Sequence, residues 1–232
     1  MNDVPLADLF PSFVSCECLR YAPADEERFS AIELPPQLQR AVPKRRLEFL
    51  AGRRCARDAL RRLVPEVSEG RITIGVDRAP VWPAGVVGAI THAEGFAAAA
   101  VARAADAAGI GLDSEGLLSA SAQDAVYSLA VTRDEMEALA GARLGETTLL
   151  TVVFSAKESL FKCLYPIVGH YFDFHDAAIV DVNEGDRTFL AELRTELGGL
   201  APGTRVGGRF AVVESLVHTG ITLPHARRGG GS

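Results

Sequence analysis

The sequence has no apolar run long enough to cross a membrane. Its densest apolar stretch, residues 96–102, is seven residues long, whereas a membrane-spanning helix needs about 20 residues. The first residues also lack a basic segment followed by an apolar one, so no secretory signal peptide is expected. These absences predict a soluble, cytoplasmic protein.

Cysteine and aromatic residues are scarce, which limits the ways in which the fold can be stabilised. The four cysteines have no spacing to one another or to histidine that is typical of a zinc site, and Cys16 and Cys18 are too close for an unstrained disulfide. Aromatic residues make up 7% of the chain and apolar residues 48%. The core must therefore consist mainly of Ala, Val, Leu and Ile, and 232 residues are enough to bury it without cross-links.

Positive charge is scarce overall and concentrated in one segment. The formal net charge of −6 argues against a general nucleic-acid-binding protein. Residues 44–62, however, contain eight of the 24 basic residues and only two of the 30 acidic ones. Such a cluster on an otherwise acidic protein indicates a bound polyanion of limited size. The alternative is a solvated helix face.

The basic segment has the periodicity of an amphipathic helix, which should end at Pro65. Arg46, Arg53 and Arg57 fall on one face, with Arg45 just before the first turn. The planar guanidinium of arginine can donate two parallel hydrogen bonds to phosphate oxygens. The apolar residues at helical spacing form a second face: Phe49, Gly52, Ala56, Leu60 and Leu63.

The rest of the chain alternates helical and hairpin patterns after an irregular segment at residues 1–35. The patterns predict a hairpin of strands 86–91 and 96–102, a strand 109–112, helices over 119–140 and 147–164, and hairpins pairing 177–182 with 188–193 and 205–214 with 216–223. The order predicts an α+β fold of two similar halves, residues 1–108 and 109–226, followed by a flexible tail at 227–232.

Two carboxylates mark the end of the predicted strand 109–112. Asp113 and Glu115 are two residues apart, which places both side chains on one side of an extended chain. Paired carboxylates suit Mg²⁺, which usually keeps water and phosphate oxygens as its other ligands. A surface loop is the alternative interpretation of this pattern.

A second group of polar residues lies within 154–162. Ser155 and Glu158 have the spacing of a capping box at a helix start. Glu158 and Lys162 have the spacing of an ion pair on a helix surface. Alternatively, Glu158 completes a metal site and Lys162 contacts a phosphate. Neither interpretation excludes the other.

The motifs in their order resemble the 4′-phosphopantetheinyl transferases, most closely the Sfp-type and enterobactin-synthetase-associated branch. Alone, Thr91-His92 is typical of a structural turn and Trp82 of a hydrophobic plug under a loop. The resemblance extends from Lys44 to Pro166. After the basic helix it comprises Arg78-Ala-Pro-Val-Trp-Pro, Ile90-Thr-His92, Gly111-Leu-Asp113-Ser-Glu115 and Phe154-Ser-Ala-Lys-Glu158-Ser-Leu-Phe-Lys162. Leu112 departs from it, because the family more often has isoleucine there.

The resemblance implies a pseudo-twofold fold of two α+β halves with coenzyme A bound between them. It also implies transfer of the phosphopantetheine arm to a serine of an acyl or peptidyl carrier protein, release of 3′,5′-ADP, and a monomeric enzyme. Implied Mg²⁺ ligands are Asp113, Glu115 and Glu158, and implied catalytic residues are Glu158 and Lys162. The residues implied to bind coenzyme A are Arg45, Arg53, Arg78, Thr91, His92 and Lys162.

Two other functions use parts of the same pattern. A non-catalytic coenzyme A or nucleotide-binding module would need the basic helix and Thr91-His92 but not three carboxylates. An RNA- or DNA-binding protein would use the segment 44–62. The acidic excess in the rest of the chain and the lack of an aromatic platform argue against nucleic acid.

Overall fold

Two antiparallel sheets, each covered by one long helix, form most of the computed structural model, which describes residues 6–67 and 72–225. The first elements are β1 (Ser15–Arg20), α1 (Pro43–Leu63), β2 (Thr73–Ile74), β3 (Pro80–Val81), β4 (Val86–Ala93) and β5 (Phe96–Arg103). They are followed by β6 (Gly109–Gly116), α2 (Ala120–Leu129), α3 (Arg133–Ala138), α4 (Glu146–Val168), β7 (Ala177–Asn183), β8 (Thr188–Leu193), β9 (Arg205–Val213) and β10 (Leu216–Leu223). The predicted α+β class is confirmed. The predicted tail, 227–232, lies outside the described residues.

The first sheet has the strand order β1-β5-β4, with α1 packed on one face. Its central strand, β5, is the apolar run noted in the sequence. Because successive strand residues point to opposite faces, Ala97 and Ala99 pack against α1, while Ala98, Ala100 and Ala102 enter a second apolar cluster. Burial on both faces explains why this strand is apolar without alternation.

The second sheet has the strand order β6-β10-β9-β8-β7, and α4 packs across it. The hairpins β4–β5, β7–β8 and β9–β10 confirm the three predicted strand pairs. The apolar cluster behind β5 also contains Ile110 and Leu112 of β6 and Leu216 of β10. The two sheets therefore share a core. The division of the chain into residues 1–108 and 109–226 stays a prediction.

The prediction of an irregular segment over residues 1–35 was wrong at β1. Cys16 and Cys18 lie in this strand and pair with Ala100 and Ala98 of β5. Their sequence, Ser-Cys-Glu-Cys-Leu-Arg, has few of the β-branched residues that signal a strand. The strand is thus formed by pairing with a distant partner. None of the four cysteines, all of which lie in the described ranges, forms a disulfide.

Two helix predictions also need correction. The single helix predicted over 119–140 is two helices, because the chain breaks after α2 and Thr132 caps α3 by accepting from the Glu135 N–H at 3.2 Å. The helix predicted to end before Pro166 continues to Val168. It ends at Gly169, which has a φ of 75° and donates its N–H to the carbonyl of Tyr165.

β6 extends past the expected strand end and lies tightly against α4. Asp113 and Glu115 are therefore inside the strand, which continues to Gly116. The side-chain-free Gly109 and Gly111 make this approach possible. A Cβ at Gly109 would lie 2.6 Å from the Cys163 carbonyl oxygen, and one at Gly111 would overlap the Ser159 carbonyl.

We expect Gly111→Ala to lower the free energy of unfolding by about 3 kcal/mol, since the new methyl group must push β6 away from α4. Gly116→Ala on the same strand is the matched control, because its Cβ would meet no atom within 4 Å. Urea unfolding followed by circular dichroism measures both. Equal stability of the two variants would show that β6 and α4 are not in this contact.

Candidate active site

Four of the residues implied to bind coenzyme A line one cavity of about 450 Å³ beside α1. Arg45 and Arg53 come from α1, Arg78 from the turn between β2 and β3, and His92 from the end of β4. The cavity wall also contains Phe49, Gly52, Ile74, Pro80 and Ile90. A cavity with cations on several sides and an apolar wall suits a phosphorylated heterocycle.

Arg45 contacts His92 in this cavity, which we call the arginine cavity. Arg45 Nη1 lies 3.1 Å from His92 Nε2 and 3.4 Å from a Glu48 carboxylate oxygen. Because a guanidinium only donates, His92 Nε2 must accept, which makes the imidazole neutral with its proton on Nδ1. Burial lowers the pKa of His92, as do the positive charges of Lys162 and Arg45, against the opposing effect of Glu48.

Arg53 is a buried cation with an unused donor. Its side chain is 8% exposed, Nη2 donates to the Thr73 carbonyl at 3.2 Å, and the guanidinium lies over the Phe49 ring at 5.0 Å. Nε is buried without a hydrogen-bond partner. Burial lowers the pKa of Arg53 to about 10, so the group stays charged at neutral pH. An anion in the arginine cavity would compensate this charge.

The other arginines of α1 divide between ion pairs and a neighbouring cavity. Arg46 forms two hydrogen bonds of 3.0 Å with Glu26, and Arg54 pairs with Asp58. Arg46, which is held by Glu26, therefore does not line the arginine cavity. Arg57 lies in an adjacent cavity of about 520 Å³, which also includes Phe49 and Arg53.

Arg78 lies in a turn that is tied to the second half of the chain. Its φ of 65° and that of Asp77, 50°, are in the left-handed region. The Tyr165 hydroxyl of α4 donates to Asp77 at 2.6 Å. Trp82, just beyond the turn, packs against the apolar cluster of Leu60, Val86 and Val101 and donates its indole N–H to the Gly88 carbonyl at 2.9 Å.

The Asp113 carboxylate is the point where the two halves meet. Its side chain is 2% exposed. Oδ1 accepts from Lys162 Nζ at 2.6 Å and from the Thr91 hydroxyl at 3.2 Å, and Oδ2 accepts from the Ser155 hydroxyl at 2.8 Å. Thr91 also accepts from the Ser114 N–H at 2.9 Å. Thr91, 2% exposed, thus faces Asp113 and does not line the arginine cavity.

Glu115 and Glu158 lie close enough to Asp113 for their charges to interact. Burial and the charges of Asp113 and Glu158 together raise the pKa of Glu115 to about 8, against the opposing effect of Lys162. Burial and Asp113 also raise the pKa of Glu158, which Lys162 opposes. For Lys162, burial disfavours the charged form, but the carboxylates outweigh this and raise its pKa.

The chemistry of this donor set fits a hard divalent cation. Two of these three carboxylates, Glu115 and Glu158, have raised pKa values, and a 2+ charge would stabilise their ionised forms. Within residues 6–67 and 72–225, however, no three metal-ligating side chains are already spaced around a single ion. Lys162 Nζ already donates to Asp113 Oδ1, so a cation bound at this oxygen would displace the ammonium group.

The capping-box prediction for Ser155 and Glu158 was wrong. α4 begins at Glu146, so Ser155 lies in the helix interior and Glu158 is far from the first turn. The hydroxyl of Ser155 is used by Asp113, 42 residues earlier in the chain. Lys162 was also predicted to pair with Glu158 on the helix surface. Its close ion pair is instead with Asp113, at 2.6 Å.

The sequence analysis missed the buried ion pair of Lys157. Its Nζ lies 2.9 Å from a Glu135 carboxylate oxygen and donates to the Ala130 carbonyl at 2.7 Å. Glu135 also accepts from the Ile179 N–H at 2.6 Å. The pair joins α3, α4 and β7, so the first lysine of the motif is structural. Lys157 lies at the break between α2 and α3, where its Nζ contacts the Ala130 carbonyl. Because this break was not predicted from the sequence, the ion pair was not either.

Comparison with known proteins identifies a family for both halves of the chain. The chain matches the family models described as the 4′-phosphopantetheinyl transferase N-terminal domain, over residues 34–102, and the 4′-phosphopantetheinyl transferase superfamily, over residues 109–199. The described residues contain no helix long and apolar enough to span a membrane.

Relatives named 4′-phosphopantetheinyl transferase match most of the chain, and an enterobactin synthase component matches about half of it. The 4′-phosphopantetheinyl transferase Svp of Streptomyces mobaraensis is 41% identical over 94% of this chain and 89% of its own length. PptT of Mycobacterium tuberculosis is 33% identical over 94% and 97%. Enterobactin synthase component D of Escherichia coli K12 is 42% identical over 54% and 58%.

The two matched regions and the α+β halves define a two-domain transferase of the phosphopantetheinyl class. The chain belongs to the 4′-phosphopantetheinyl transferase family and is an enzyme of that family. The resemblance inferred from its motifs is confirmed, and so is the fold of two α+β halves.

We expect the two motif lysines to differ in their effect on stability. Lys157→Met leaves the buried Glu135 carboxylate without its partner and should lower the free energy of unfolding by about 3 to 5 kcal/mol. Lys162→Met, at a partly exposed site, should cost less than half of that. Chemical unfolding of both variants gives the comparison, and a Lys157→Met variant as stable as the wild type would contradict the structural role.

Proposed function

We propose that the protein transfers the 4′-phosphopantetheine arm of coenzyme A to a serine hydroxyl of an acyl or peptidyl carrier protein. One observation carries this proposal: neighbouring residues of β4 connect the arginine cavity with the carboxylates. His92 contacts Arg45 in the cavity at 3.1 Å, and Thr91 contacts Asp113 at 3.2 Å. A ligand with phosphates at two points can therefore bind the cations and the carboxylate site together.

The arginine cavity would bind the anionic head of coenzyme A. Its 3′-phosphate needs donors, which Arg45, Arg53, Arg78 and His92 provide from different sides. Thr91 is proposed in a different role from the one implied by the family resemblance. Its hydroxyl already donates to Asp113, so it aligns the carboxylate instead of contacting the phosphate directly.

The carboxylates Asp113, Glu115 and Glu158 would hold Mg²⁺ beside the pyrophosphate. When bound, Mg²⁺ supplies positive charge to the pyrophosphate oxygens. Lys162 would then turn from Asp113 to the phosphates and stabilise the charge on the leaving group. Lys162 Nζ lies 2.6 Å from Asp113 Oδ1, beside the proposed position of the pyrophosphate. This movement would therefore be a local change of one flexible side chain.

The reaction forms one bond and breaks one. The carrier serine oxygen bonds to the phosphorus that carries the pantetheine arm, and the bond from that phosphorus to the bridging oxygen breaks, which releases 3′,5′-ADP. Glu158 would accept the serine proton. Lys162 is the donor to the departing phosphate.

The acceptor would be acidic around its serine, because the exposed arginines of α1 favour association with such a surface. The carrier protein with its phosphopantetheine arm would serve a polyketide, nonribosomal peptide or siderophore pathway. The cytoplasmic location and the monomeric state stay predictions.

The test of the transfer is intact-protein mass spectrometry of an apo carrier protein incubated with this protein, coenzyme A and Mg²⁺. We expect a mass gain of one phosphopantetheine arm. The gain should be lost with EDTA and with a carrier that lacks its serine. Coenzyme A binding without a mass gain on several acyl and peptidyl carriers would favour a non-catalytic binding module.

Glu158→Ala should reduce the transfer rate at least about 100-fold, because both a metal ligand and the general base are removed. Coenzyme A binding should remain, since the arginine cavity is untouched. The matched control is Glu137→Ala, at an exposed position of α3. Turnover near that of the wild type in Glu158→Ala would refute both roles of Glu158.

Arg53→Ala should instead weaken coenzyme A binding by about 10- to 100-fold, the effect of losing a hydrogen-bonded charge. Turnover at saturating coenzyme A should fall much less. Arg54→Ala is the control, because Arg54 is the next residue on α1 and pairs with Asp58 outside the cavity. Isothermal titration calorimetry measures the affinity; equal affinities of the two variants would place the substrate elsewhere.

A further inference from the structure

Three buried hydroxyls form a chain that ends on the Asp113 carboxylate. Ser155 Oγ lies 2.8 Å from Asp113 Oδ2, Thr219 Oγ1 lies 2.9 Å from Ser155 Oγ, and Ser159 Oγ lies 2.6 Å from Thr219 Oγ1. All three side chains are fully buried. Ser155 and Ser159 are one turn apart on α4, and Thr219 lies directly opposite Asp113 in the pairing of β10 with β6. No step of the proposed reaction uses these hydroxyls.

Each hydroxyl has a single proton, which fixes the direction of the hydrogen bond that reaches Asp113. A carboxylate only accepts, so the Ser155 proton goes to Asp113. Ser155 Oγ can then only accept from Thr219, whose hydroxyl also lies 2.9 Å from the Ser155 carbonyl oxygen. Ser159 in turn donates to Thr219, to its hydroxyl or to its carbonyl oxygen at 3.1 Å. The Thr219 hydroxyl is thus placed to donate to Ser155, at either its hydroxyl or its carbonyl oxygen, and both arrangements hold Ser155 against β10.

The side chain of Ser155 has a nearer alternative that it does not take. A serine or threonine inside a helix commonly donates to the carbonyl four residues earlier. Thr151, one turn before Ser155 on α4, does so and donates to the Thr147 carbonyl at 2.7 Å. Ser155 donates to Asp113 instead, which links α4 to β6.

The two carboxylate oxygens of Asp113 have different surroundings, because the chain of hydroxyls contacts only one of them. Oδ2 is held from the interior by Ser155. Oδ1 faces Lys162 and Thr91, the side on which the substrate phosphates are proposed to bind. A carboxylate held on one oxygen cannot rotate without breaking a buried hydrogen bond, so the other oxygen keeps a fixed direction.

We propose that Ser155 and Thr219 are positioning residues that hold Asp113 with Oδ1 directed at the divalent cation. This inference rests on the proposed function, in which Asp113 is a Mg²⁺ ligand. Neither residue touches the substrate. They act by fixing the ligand before the cation arrives, so their loss weakens metal binding while the arginine cavity keeps its affinity for coenzyme A.

The test compares Thr219→Val, which keeps the shape and removes the hydroxyl, with Thr219→Ser, which keeps the hydroxyl. Thr222→Val is the matched control, because Thr222 is also on β10 and its buried hydroxyl has no hydrogen-bond partner. Mn²⁺ serves as the metal probe. Its affinity for the protein–coenzyme A complex is measured by electron paramagnetic resonance without a carrier, and kcat and the KM for coenzyme A are measured with one.

We expect Thr219→Val to weaken Mn²⁺ binding by about 3- to 10-fold, as for one lost buried hydrogen bond. It should lower kcat and leave the KM for coenzyme A unchanged. Thr219→Ser should restore the Mn²⁺ affinity, and Thr222→Val should equal the wild type. A Thr219→Val variant with wild-type Mn²⁺ affinity overturns the proposal, as does a Thr222→Val variant that is equally weakened.

The same measurements separate this inference from the proposed function. If the Mn²⁺ affinities follow the expected order but no carrier is modified, positioning is supported and the transfer to carriers fails. If the wild type modifies carriers and the variants do not differ in Mn²⁺ affinity, the transfer is supported and positioning fails. A wild-type complex that binds no Mn²⁺ overturns the inference directly.

Discussion

Burial of the Asp113 carboxylate is the constraint on which the rest of the site depends. Removing a carboxylate from water costs several kcal/mol unless its oxygens are well hydrogen-bonded. The donors to Asp113 come from Thr91 on β4 and from Ser155 and Lys162 on α4. The two halves must therefore pack in one arrangement. The glycines of β6 let α4 approach Asp113 closely, and the alanines of β5 pack with residues of β6 in one apolar cluster.

The alternation of a β-strand explains how a two-residue motif serves two parts of the site. Neighbouring strand residues point in opposite directions, so Thr91 reaches Asp113 while His92 reaches Arg45. Three arginines and His92 thereby gather on one side of β4, and Asp113 lies on the other. This separation suits a substrate with two phosphate groups, of which one needs cations and the other needs a metal ion held by carboxylates.

Local patterns in the sequence were enough for α1 and the three hairpins, because helical and strand periodicity are encoded within a few residues. The family resemblance selected the residues that gather at β4, β6 and α4. Neither could show that Ser155 serves Asp113 or that Lys157 serves Glu135, since these partners are distant in the chain. For the same reason β1, which needs β5 as its partner, was missed.

The central claim is that coenzyme A spans from the arginine cavity to Asp113. The most direct test is a crystal structure of the protein with coenzyme A and Mg²⁺. We expect the 3′-phosphate against Arg45, Arg53 and His92, the metal ion on Asp113, and Lys162 turned to the pyrophosphate. Phosphates bound only in the neighbouring cavity of Arg57, or a metal ion away from Asp113, would contradict the claim.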